Sequence, residues 1–251
     1  MRPVGSWMRF GGRAVATRAC IPRVSLAVVT GAGTGIGRAT ARALASRGLD
    51  VALVGRTEST LRDTAAEVER AGVRALVAPA DVSVEADVRR TAEAIVSAAG
   101  APRVVVHNAG IAGRKAPVEE TTAAEWDAVL AVNLRGVFLL SRALLPSMRA
   151  AGAGRLVTIA SISATLGTAG LAAYCASKWA AVGLTKALAE ELRGSGLQAL
   201  AVLPGTVDTA MARVGGFVPR MTADDVARVV AFASLDAPDA MNGSAIECFG
   251  P

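Results

Sequence analysis

The chain of 251 residues has little of several residue types on which common active sites depend. It contains one histidine, His107, and no Gly-x-Ser-x-Gly segment, which argues against an α/β-type serine hydrolase. Its three cysteines have neither Cys-x-x-Cys spacing nor a histidine at ligand spacing, so neither a disulfide framework nor a zinc site is expected. We expect no bound metal, and we interpret His107 as a hydrogen-bonded structural residue.

Long uninterrupted apolar stretches are also scarce. Arg, Gly or Pro breaks each stretch before the roughly 20 residues that are needed to cross a bilayer, so we expect a soluble protein that does not bind membranes. Hydrophobic residues make up 52% of the chain but aromatic residues only 4%, which predicts a core of Ala, Val and Leu. Such a core is typical of helices packed on a buried parallel sheet.

The formal net charge of +6 is concentrated at the amino end. Residues 1–24 contain five arginines and no acidic residue, and the 27 basic residues less these five leave 22 against 21 acidic ones. The remainder is near neutral, so a nucleic-acid-binding face is not expected. Residues 1–24 form a basic N-terminal extension that fits a disordered leader, an organelle-targeting segment or a start codon placed too far upstream. We expect a cytoplasmic protein.

Beyond this extension, short β-branched runs alternate with segments whose apolar residues recur at helical spacing. The predicted strands are 26–30, 51–54, 75–78, 104–107, 156–160, 197–203 and 245–249. The predicted helices are 39–46, 61–70, 88–98, 126–148, 173–192 and 224–234. This alternation predicts an α/β fold with a doubly wound parallel sheet, as a single domain over residues 25–251. Ligands of such sheets bind at the carboxyl ends of the strands, where the strand order reverses.

A glycine-rich turn follows the first predicted strand. Glycines there let the backbone approach a pyrophosphate, and the next helix directs free N–H groups and its positive dipole end at the anion. The spacing Gly31-x-x-x-Gly35-x-Gly37 departs from the common Gly-x-Gly-x-x-Gly, but it lies between a strand and a helix as the mechanism requires. The candidate cofactor-binding residues of the turn are Gly31, Gly33, Thr34, Gly35, Ile36 and Gly37.

The second predicted strand ends at Gly55 and Arg56, where an NAD-binding fold places an acidic residue on the adenosine ribose. No acid is present, while Arg56 offers a planar charged donor to a 2′-phosphate and Arg38 a second contact. This favours NADP(H) over NAD(H). The alternative is a solvated arginine in a turn.

Tyr174 is the only tyrosine, and Lys178, one of three lysines, follows it by four residues. Residues at this spacing share a helix face, so a phenol and an ammonium can face one site. Lowering the pKa of a phenol from about 10 to about 7 takes roughly 4 kcal/mol. A cation at about 4 to 6 Å supplies most of this, so we expect Lys178 to lower the pKa of Tyr174. The alternative is an aromatic ring packed beside a solvated lysine.

Further motifs occur in a fixed order along the chain. They are Asp81, the triplet Asn108-Ala109-Gly110, Asn133, Ser161 and the pair Pro204-Gly205. With the glycine turn and Tyr174-x-x-x-Lys178, they make the chain similar to short-chain dehydrogenases/reductases, in particular 3-oxoacyl reductases, from about Leu26 to Phe249. The resemblance implies a Rossmann fold that binds NAD(P). His107 before the triplet and the ending Phe249-Gly250-Pro251 depart from the common pattern.

The resemblance also implies roles. Tyr174 would donate a proton, Ser161 would hold the substrate oxygen, and Lys178 would bind the nicotinamide ribose. Asn133 either carries a water-linked proton relay, which the resemblance favours, or is a satisfied polar group in the core. The further cofactor-binding residues implied are Asp81, Val82, Asn108, Ala109, Gly110, Tyr174, Lys178, Pro204, Gly205, Val207 and Thr209. The implied substrate pocket consists of Ser161, Ile162, Ser163, Leu166, Met211 and Phe217.

We therefore expect an enzyme that interconverts a ketone, for example a 3-oxoacyl thioester, and a secondary alcohol by direct hydride transfer from NADP(H). An NAD-dependent secondary alcohol dehydrogenase and a non-catalytic cofactor-binding sensor are the alternatives. The partner is a small carbonyl or alcohol substrate. The apolar helices around Asn133 and Tyr174 lead us to expect a homotetramer or homodimer.

Overall fold

The computed structural model describes residues 25–214 and 218–250. The basic extension 1–24 and the predicted pocket residue Phe217 lie outside the described residues.

Seven parallel strands form one sheet in the order β3-β2-β1-β4-β5-β6-β7. The strands are β1 Leu26–Thr30, β2 Asp50–Gly55, β3 Ala75–Pro79, β4 Val104–His107, β5 Gly154–Ile159, β6 Leu197–Pro204 and β7 Ala245–Cys248. The strand order reverses between β1 and β4, so the predicted doubly wound parallel sheet is confirmed. This reversal opens a crevice at the carboxyl ends of β1 and β4.

Helices connect the strands and cover both faces of the sheet. They are α1 Gly35–Ala45, α2 Glu58–Glu69, α3 Glu85–Ala99, α4 Ala123–Leu130, α5 Gly136–Ala151, α6 Ala172–Glu191, α7 Ala210–Val214 and α8 Ala223–Leu235. One-turn 3-10 helices lie at Val118–Glu120, Ile162–Ala164 and Asp239–Met241. A π-helical turn, Ala131–Arg135, joins α4 to α5, so the single helix predicted there is continuous but wound differently at its centre.

Small and branched aliphatic residues form the core on both sides of the sheet. On one side, Leu44 of α1, Leu61 of α2 and Val230 of α8 are fully buried in one cluster. On the other side, Leu144 of α5 and Leu192, which directly follows α6, are fully buried in a second cluster. Both clusters consist mainly of the Ala, Val and Leu expected from the composition.

The continuous helix Ala123–Ala151 is long and apolar enough to cross a membrane by length and composition, with a mean hydropathy of 1.7. Arg135, Gly136 and Pro146 interrupt its apolar residues, as predicted, but the mean hydropathy is still high enough for such a span. A helix buried in a protein core passes the same test. Leu144 and Met148 of this helix are fully buried, and α5 packs beside α3 on the sheet.

Candidate active site

The crevice between β1 and β4 is held by a compact set of hydrogen bonds. The hydroxyl of Thr30, the last residue of β1, accepts the backbone N–H groups of Asn108 at 2.9 Å and Ala109 at 3.0 Å. The Asn108 amide nitrogen donates to the Thr30 carbonyl oxygen at 2.9 Å. The Asn108 side chain thus fixes the loop after β4 against the glycine turn, which sets the floor of the crevice.

The glycine turn fits a pyrophosphate. Gly31 and Gly35 have φ values of 63° and 51°, which residues other than glycine rarely adopt. A Cβ on Gly37 would lie 2.2 Å from the Gly31 carbonyl oxygen. Helix α1 begins at Gly35, with no side-chain cap on Thr34 and no acidic residue in its first turn. Its first N–H groups are therefore available to an anion.

A cavity of about 560 Å³ opens above this turn. It brings together most of the residues predicted from the sequence. These are Gly31, Thr34, Gly35, Ile36, Asn108, Ala109, Gly110, Ser161, Ile162, Ser163, Tyr174, Lys178, Pro204, Gly205, Val207, Thr209 and Met211. The cavity thus brings Ser161, Tyr174 and Lys178 together with much of the cofactor-binding set, whereas Asn133 and Arg56 do not line it.

Several predicted residues lie outside the cavity wall. Gly33 and Gly37 pack against Thr60 and Asn108 and shape the turn from behind. Leu166, predicted in the substrate pocket, is instead 58% exposed, because the chain turns outward after the 3-10 helix Ile162–Ala164.

Two further predictions concern the adenine end of the cofactor. Asp81 and Val82 follow β3 at the same edge of the sheet, but they do not line the cavity. The Asp81 carboxylate accepts the N–H and the hydroxyl of Ser83 at 2.9 and 2.6 Å. It therefore fixes its own turn.

Ser161 lies two residues after the end of β5, and it is only 9% exposed. Its hydroxyl oxygen accepts the backbone N–H of Ser163 at 3.1 Å, which caps the 3-10 helix Ile162–Ala164. The hydroxyl of Ser163 pairs with that of Thr168 at 3.3 Å. Ser161 also lowers the pKa of the Tyr174 phenol, so of the two serines it is the one that acts on the tyrosine.

Burial raises the pKa of Tyr174, and the nearby Ser161 hydroxyl acts in the opposite direction. The predicted lowering of this pKa by Lys178 is therefore wrong for this structure. The Lys178 Nζ lies 5.6 Å from the centroid of the Tyr174 ring and donates to the Ile159 carbonyl oxygen at 2.8 Å. The removal of the phenol from water raises the pKa of Tyr174 more than this cation lowers it. The phenol consequently keeps its proton, which is the form that can donate one.

Lys178 itself is only 5% exposed, and burial lowers the pKa of its ammonium to about 8. It lies one helical turn after Tyr174 on α6, as the spacing predicts, and both side chains line the cavity. The alternative of a solvated lysine beside a packed ring is excluded by this burial.

Asn133 lies in the π-helical turn and is 2% exposed. Its Oδ1 accepts the N–H of Ile111 at 2.8 Å, and its Nδ2 donates to the Ile111 carbonyl at 2.9 Å and to the Ser177 hydroxyl at 3.0 Å. The side chain is thus satisfied in the core, as in the alternative left open by the sequence. It ties the loop after β4 to α6 directly beside Lys178.

His107 is confirmed as a structural residue. It is 3% exposed, its Nε2 lies 3.0 Å from the Ser141 hydroxyl, and burial lowers its pKa to about 4. Among the described residues, no three His, Cys, Asp or Glu side chains form a group that could hold a metal ion.

The two arginines predicted to hold a 2′-phosphate differ in their surroundings. Arg38 Nε donates to the Glu67 carboxylate at 3.0 Å, so its guanidinium is already engaged. Arg56 is exposed at the end of β2 and makes no hydrogen bond or ion pair with any other residue in the described part of the chain. Of the two, Arg56 is the one available to a ligand.

The sequence analysis missed several cavity residues on the loop between β4 and the 3-10 helix Val118–Glu120. Gly113, Arg114 and Lys115 line the cavity from this loop. An irregular loop has no hydrophobic periodicity to show its course. The position of the loop in the chain could have identified these residues, because it follows β4, one of the two strands between which the strand order reverses.

The chain that forms this crevice, with its glycine turn and buried Ser161, Tyr174 and Lys178, is similar to known proteins in sequence and in fold. The family described as short chain dehydrogenase matches residues 25–215. A 2-(R)-hydroxypropyl-CoM dehydrogenase of Xanthobacter autotrophicus is 42% identical over 189 residues, 74% of this chain and 76% of the relative. A cis-4-hydroxycyclohexanecarboxylate dehydrogenase of Sinomonas cyclohexanicum is 36% identical over 239 residues, 90% of this chain and 95% of the relative.

A solved structure, 3-ketoacyl-(acyl-carrier-protein) reductase from Brucella melitensis complexed with NADH, superposes with a TM-score of 0.84. It is 31% identical, and the match covers 90% of this chain and 97% of that one. The chain belongs to the short chain dehydrogenase family. It is an NAD(P)-dependent oxidoreductase that interconverts secondary alcohols and ketones.

Proposed function

We propose that this chain is an NADP(H)-dependent ketone reductase in which Ser161, Tyr174 and Lys178 act together with Asn133. The observation that supports this most strongly is the single cavity that contains Ser161, Tyr174, Lys178 and the glycine turn. The dinucleotide, when bound, supplies or accepts the hydride. All other steps belong to residues of the chain.

The Tyr174 phenol donates its proton to the carbonyl oxygen of the substrate as negative charge develops there. Its raised pKa keeps that proton in place before the reaction. The Ser161 hydroxyl donates a second hydrogen bond to the substrate oxygen. In alcohol oxidation the direction of each transfer is reversed.

Lys178 holds the ribose hydroxyls of the cofactor and supplies positive charge beside the phenol. The Asn133 side chain positions Lys178 indirectly. Its amide bonds both Ser177, the residue before Lys178, and Ile111, the residue after Gly110. A Cβ on Gly110 would lie 3.2 Å from Asn133 Oδ1 and 3.5 Å from Lys178 Nζ. With its amide engaged, Asn133 contributes to a proton relay through its backbone carbonyl in the π-helical turn, where regular i to i+4 bonding is interrupted.

The choice of NADP(H) over NAD(H) rests on the end of β2. Gly55 presents no carboxylate to the adenosine ribose, and Arg56 is exposed without a partner in the described part of the chain. A charge-assisted contact with a phosphate contributes about 1.5 to 3 kcal/mol. The alternative is NAD(H), which the relative from Brucella melitensis binds according to its description.

The substrate is a small ketone or secondary alcohol. Ile162, Leu171 and Met211 give the cavity an apolar side, which suits an aliphatic or alicyclic chain next to the carbonyl. By their descriptions, the relatives named above act on 2-(R)-hydroxypropyl-CoM, on cis-4-hydroxycyclohexanecarboxylate and on 3-ketoacyl-(acyl-carrier-protein). A 3-oxoacyl thioester is therefore one candidate within a wider class.

We also propose that the protein is cytoplasmic and that α5 and α6 pair with a second copy in a homodimer or homotetramer. Phe138 of α5 is 44% exposed and Trp179 of α6 is 55% exposed. Large exposed aromatic side chains on neighbouring helices are typical of subunit interfaces.

The test is a screen of NADPH and NADH oxidation against aliphatic ketones, cyclic ketones and 3-oxoacyl thioesters, with the reverse reaction on the alcohols. We expect turnover of at least one ketone class, with NADPH preferred. If the cofactors bind but no carbonyl compound or alcohol is turned over, the protein is a non-catalytic cofactor-binding sensor.

A further inference from the structure

One wall of the active-site cavity is a single backbone segment, residues 205–209, between the end of β6 and the start of α7. Val207 and Thr209 of this segment line the active-site cavity, whereas Asp208 between them lines a second cavity of about 580 Å³. The segment, the β6–α7 wall, therefore lies between two cavities. A wall of this thickness keeps its place only if the residues that contact it are themselves fixed.

Met221 is the backbone partner of the β6–α7 wall. It forms an isolated parallel bridge with Val207. The N–H of Met221 donates to the Thr206 carbonyl oxygen at 3.2 Å, and the Met221 carbonyl oxygen accepts the N–H of Asp208 at 2.8 Å. The wall is thus hydrogen-bonded to Met221 on both sides of Val207.

The Met221 side chain fills the space behind the wall. It is only 6% exposed and belongs to the core cluster that also contains Val207, Val226 and Val230. A Cβ on Gly205 would lie 3.7 Å from the Met221 Cε. Met221 is not among the described residues that line the active-site cavity. It can therefore affect a bound ligand only through the wall.

The start of α8 fixes Met221 in turn. Thr222, the next residue, is the N-cap of this helix, and its hydroxyl accepts the N–H of Asp225 at 3.2 Å. The Asp225 carboxylate accepts the N–H and the hydroxyl of Thr222 at 2.8 and 2.7 Å. Such a capping box fixes the chain where the helix begins. Met221 consequently connects a fixed helix end to the β6–α7 wall.

The wall lies on the half of the crevice that receives the reacting end of the cofactor. Arg56 follows β2 on one side of the reversal of strand order, whereas Ser161 follows β5 and the wall follows β6 on the other side. A dinucleotide bound across the reversal with its adenosine at β2 presents its nicotinamide to Ser161 and to the wall. A displaced wall should therefore disturb the nicotinamide half and spare the adenosine half.

We propose that Met221 is a positioning residue that holds the β6–α7 wall where the nicotinamide and the ketone bind. Without its side chain the wall occupies more than one position, and only a fraction of the molecules can bind both ligands. Ser161, Tyr174 and Lys178 lie after β5 and on α6, so their chemistry does not depend on Met221. This inference rests on the proposed ketone reduction and adds to it a residue outside the cavity.

The experiment compares Met221→Ala with Met148→Ala, the same substitution at a fully buried methionine of α5 in the core cluster on the other face of the sheet. Both variants should lose about 5 to 15 °C in Tm, because both leave a cavity in the core. Only Met221→Ala should raise the Kd of NADPH and NADH, and the KM for the ketone, by about 10-fold. Its kcat should change by less than about 3-fold.

The Kd of ADP, which carries only the adenosine half of the cofactor, should equal that of the wild type in both variants. The ketones are 2-butanone, cyclohexanone and acetoacetyl-CoA. Met221→Leu, which nearly conserves the volume of the side chain, should restore the wild-type Kd and KM. If Met221→Ala does not fold, Met221→Val leaves a smaller cavity and should give a smaller rise of the same sign.

Wild-type Kd and KM values in the Met221 variants would overturn this inference and leave the reductase proposal intact. An equal rise in Met148→Ala, or an equal rise in the Kd of ADP, would do the same, since either would indicate a general loss of stability. The binding measurements need no turnover, so they separate the two proposals. If the wild type turned over no ketone at all, the proposed function would be overturned and this inference with it.

Discussion

The buried ammonium of Lys178 should make the protein less stable at neutral pH than at alkaline pH. Burial lowers its pKa from 10.5 to about 8, so between these values the unfolded chain binds more protons than the folded one. Stability therefore rises with pH through this window, because the cost of the buried charge is largest below pH 8 and is relieved above it. From these two pKa values, the cost changes by about 2 to 3 kcal/mol between pH 7 and pH 10.

Lys178→Met isolates this effect, since methionine has a similar length and no charge. The variant also leaves the Ile159 carbonyl without its donor, which costs about 1 to 3 kcal/mol at every pH. The pH-independent part cancels when the difference between wild type and variant is compared across pH. Relative to the variant, the wild type should gain about 2 to 3 kcal/mol on going from pH 7 to pH 10.

The assay is urea unfolding of both proteins at pH 7, 8, 9 and 10, with Lys186→Met as the exposed control. The control should follow the wild type at every pH. If the curves of stability against pH for wild type and Lys178→Met are parallel, Lys178 is solvated, and the argument from burial is refuted.

Two further predictions concern the cofactor. Arg56→Ala should reduce the ratio of kcat/KM for NADPH to that for NADH by about 10-fold or more. The control is Arg62→Ala, which removes an exposed arginine paired with Glu58 and should leave this ratio unchanged. An unchanged ratio in Arg56→Ala would show that Arg56 does not contact the cofactor. Gly37→Ala should weaken cofactor binding and lower stability by about 1 to 3 kcal/mol, because its Cβ would overlap the Gly31 carbonyl. Gly167→Ala, with nothing within 4 Å, is the control, and wild-type affinity and stability in Gly37→Ala would contradict the close packing of the turn.

Much of the fold follows from the sequence because its signals are local and repeated. All seven predicted strands are present, since β-branched runs such as Val104–His107 are distinct from the helices between them. The π-helical turn at Ala131–Arg135 was not predicted, because one extra residue in a helical turn hardly alters the hydrophobic pattern.

The candidate site was predictable where chemistry and spacing coincide. Tyr174 and Lys178 share a helix face, and the glycine turn must follow β1. The pKa values and ion pairs of the site could not be predicted from the sequence, because they depend on which groups are buried together. The pKa of Tyr174 moves in the direction opposite to the prediction once both partners leave water. Arg38 was predicted to bind phosphate, but Glu67, 29 residues away in the chain, engages it.

Tyr174→Phe tests the central claim most directly, because it removes one hydroxyl and keeps the ring that packs beside Lys178. The measurement is the single-turnover rate of ketone reduction in wild type and variant, with the dissociation constant of the cofactor determined in parallel. Loss of the general acid should slow reduction by about 100- to 10,000-fold, while the dissociation constant changes by no more than about 3-fold, below the roughly 1 kcal/mol of one hydrogen bond. A variant that reduces the ketone at more than a tenth of the wild-type rate would show that another group supplies the proton.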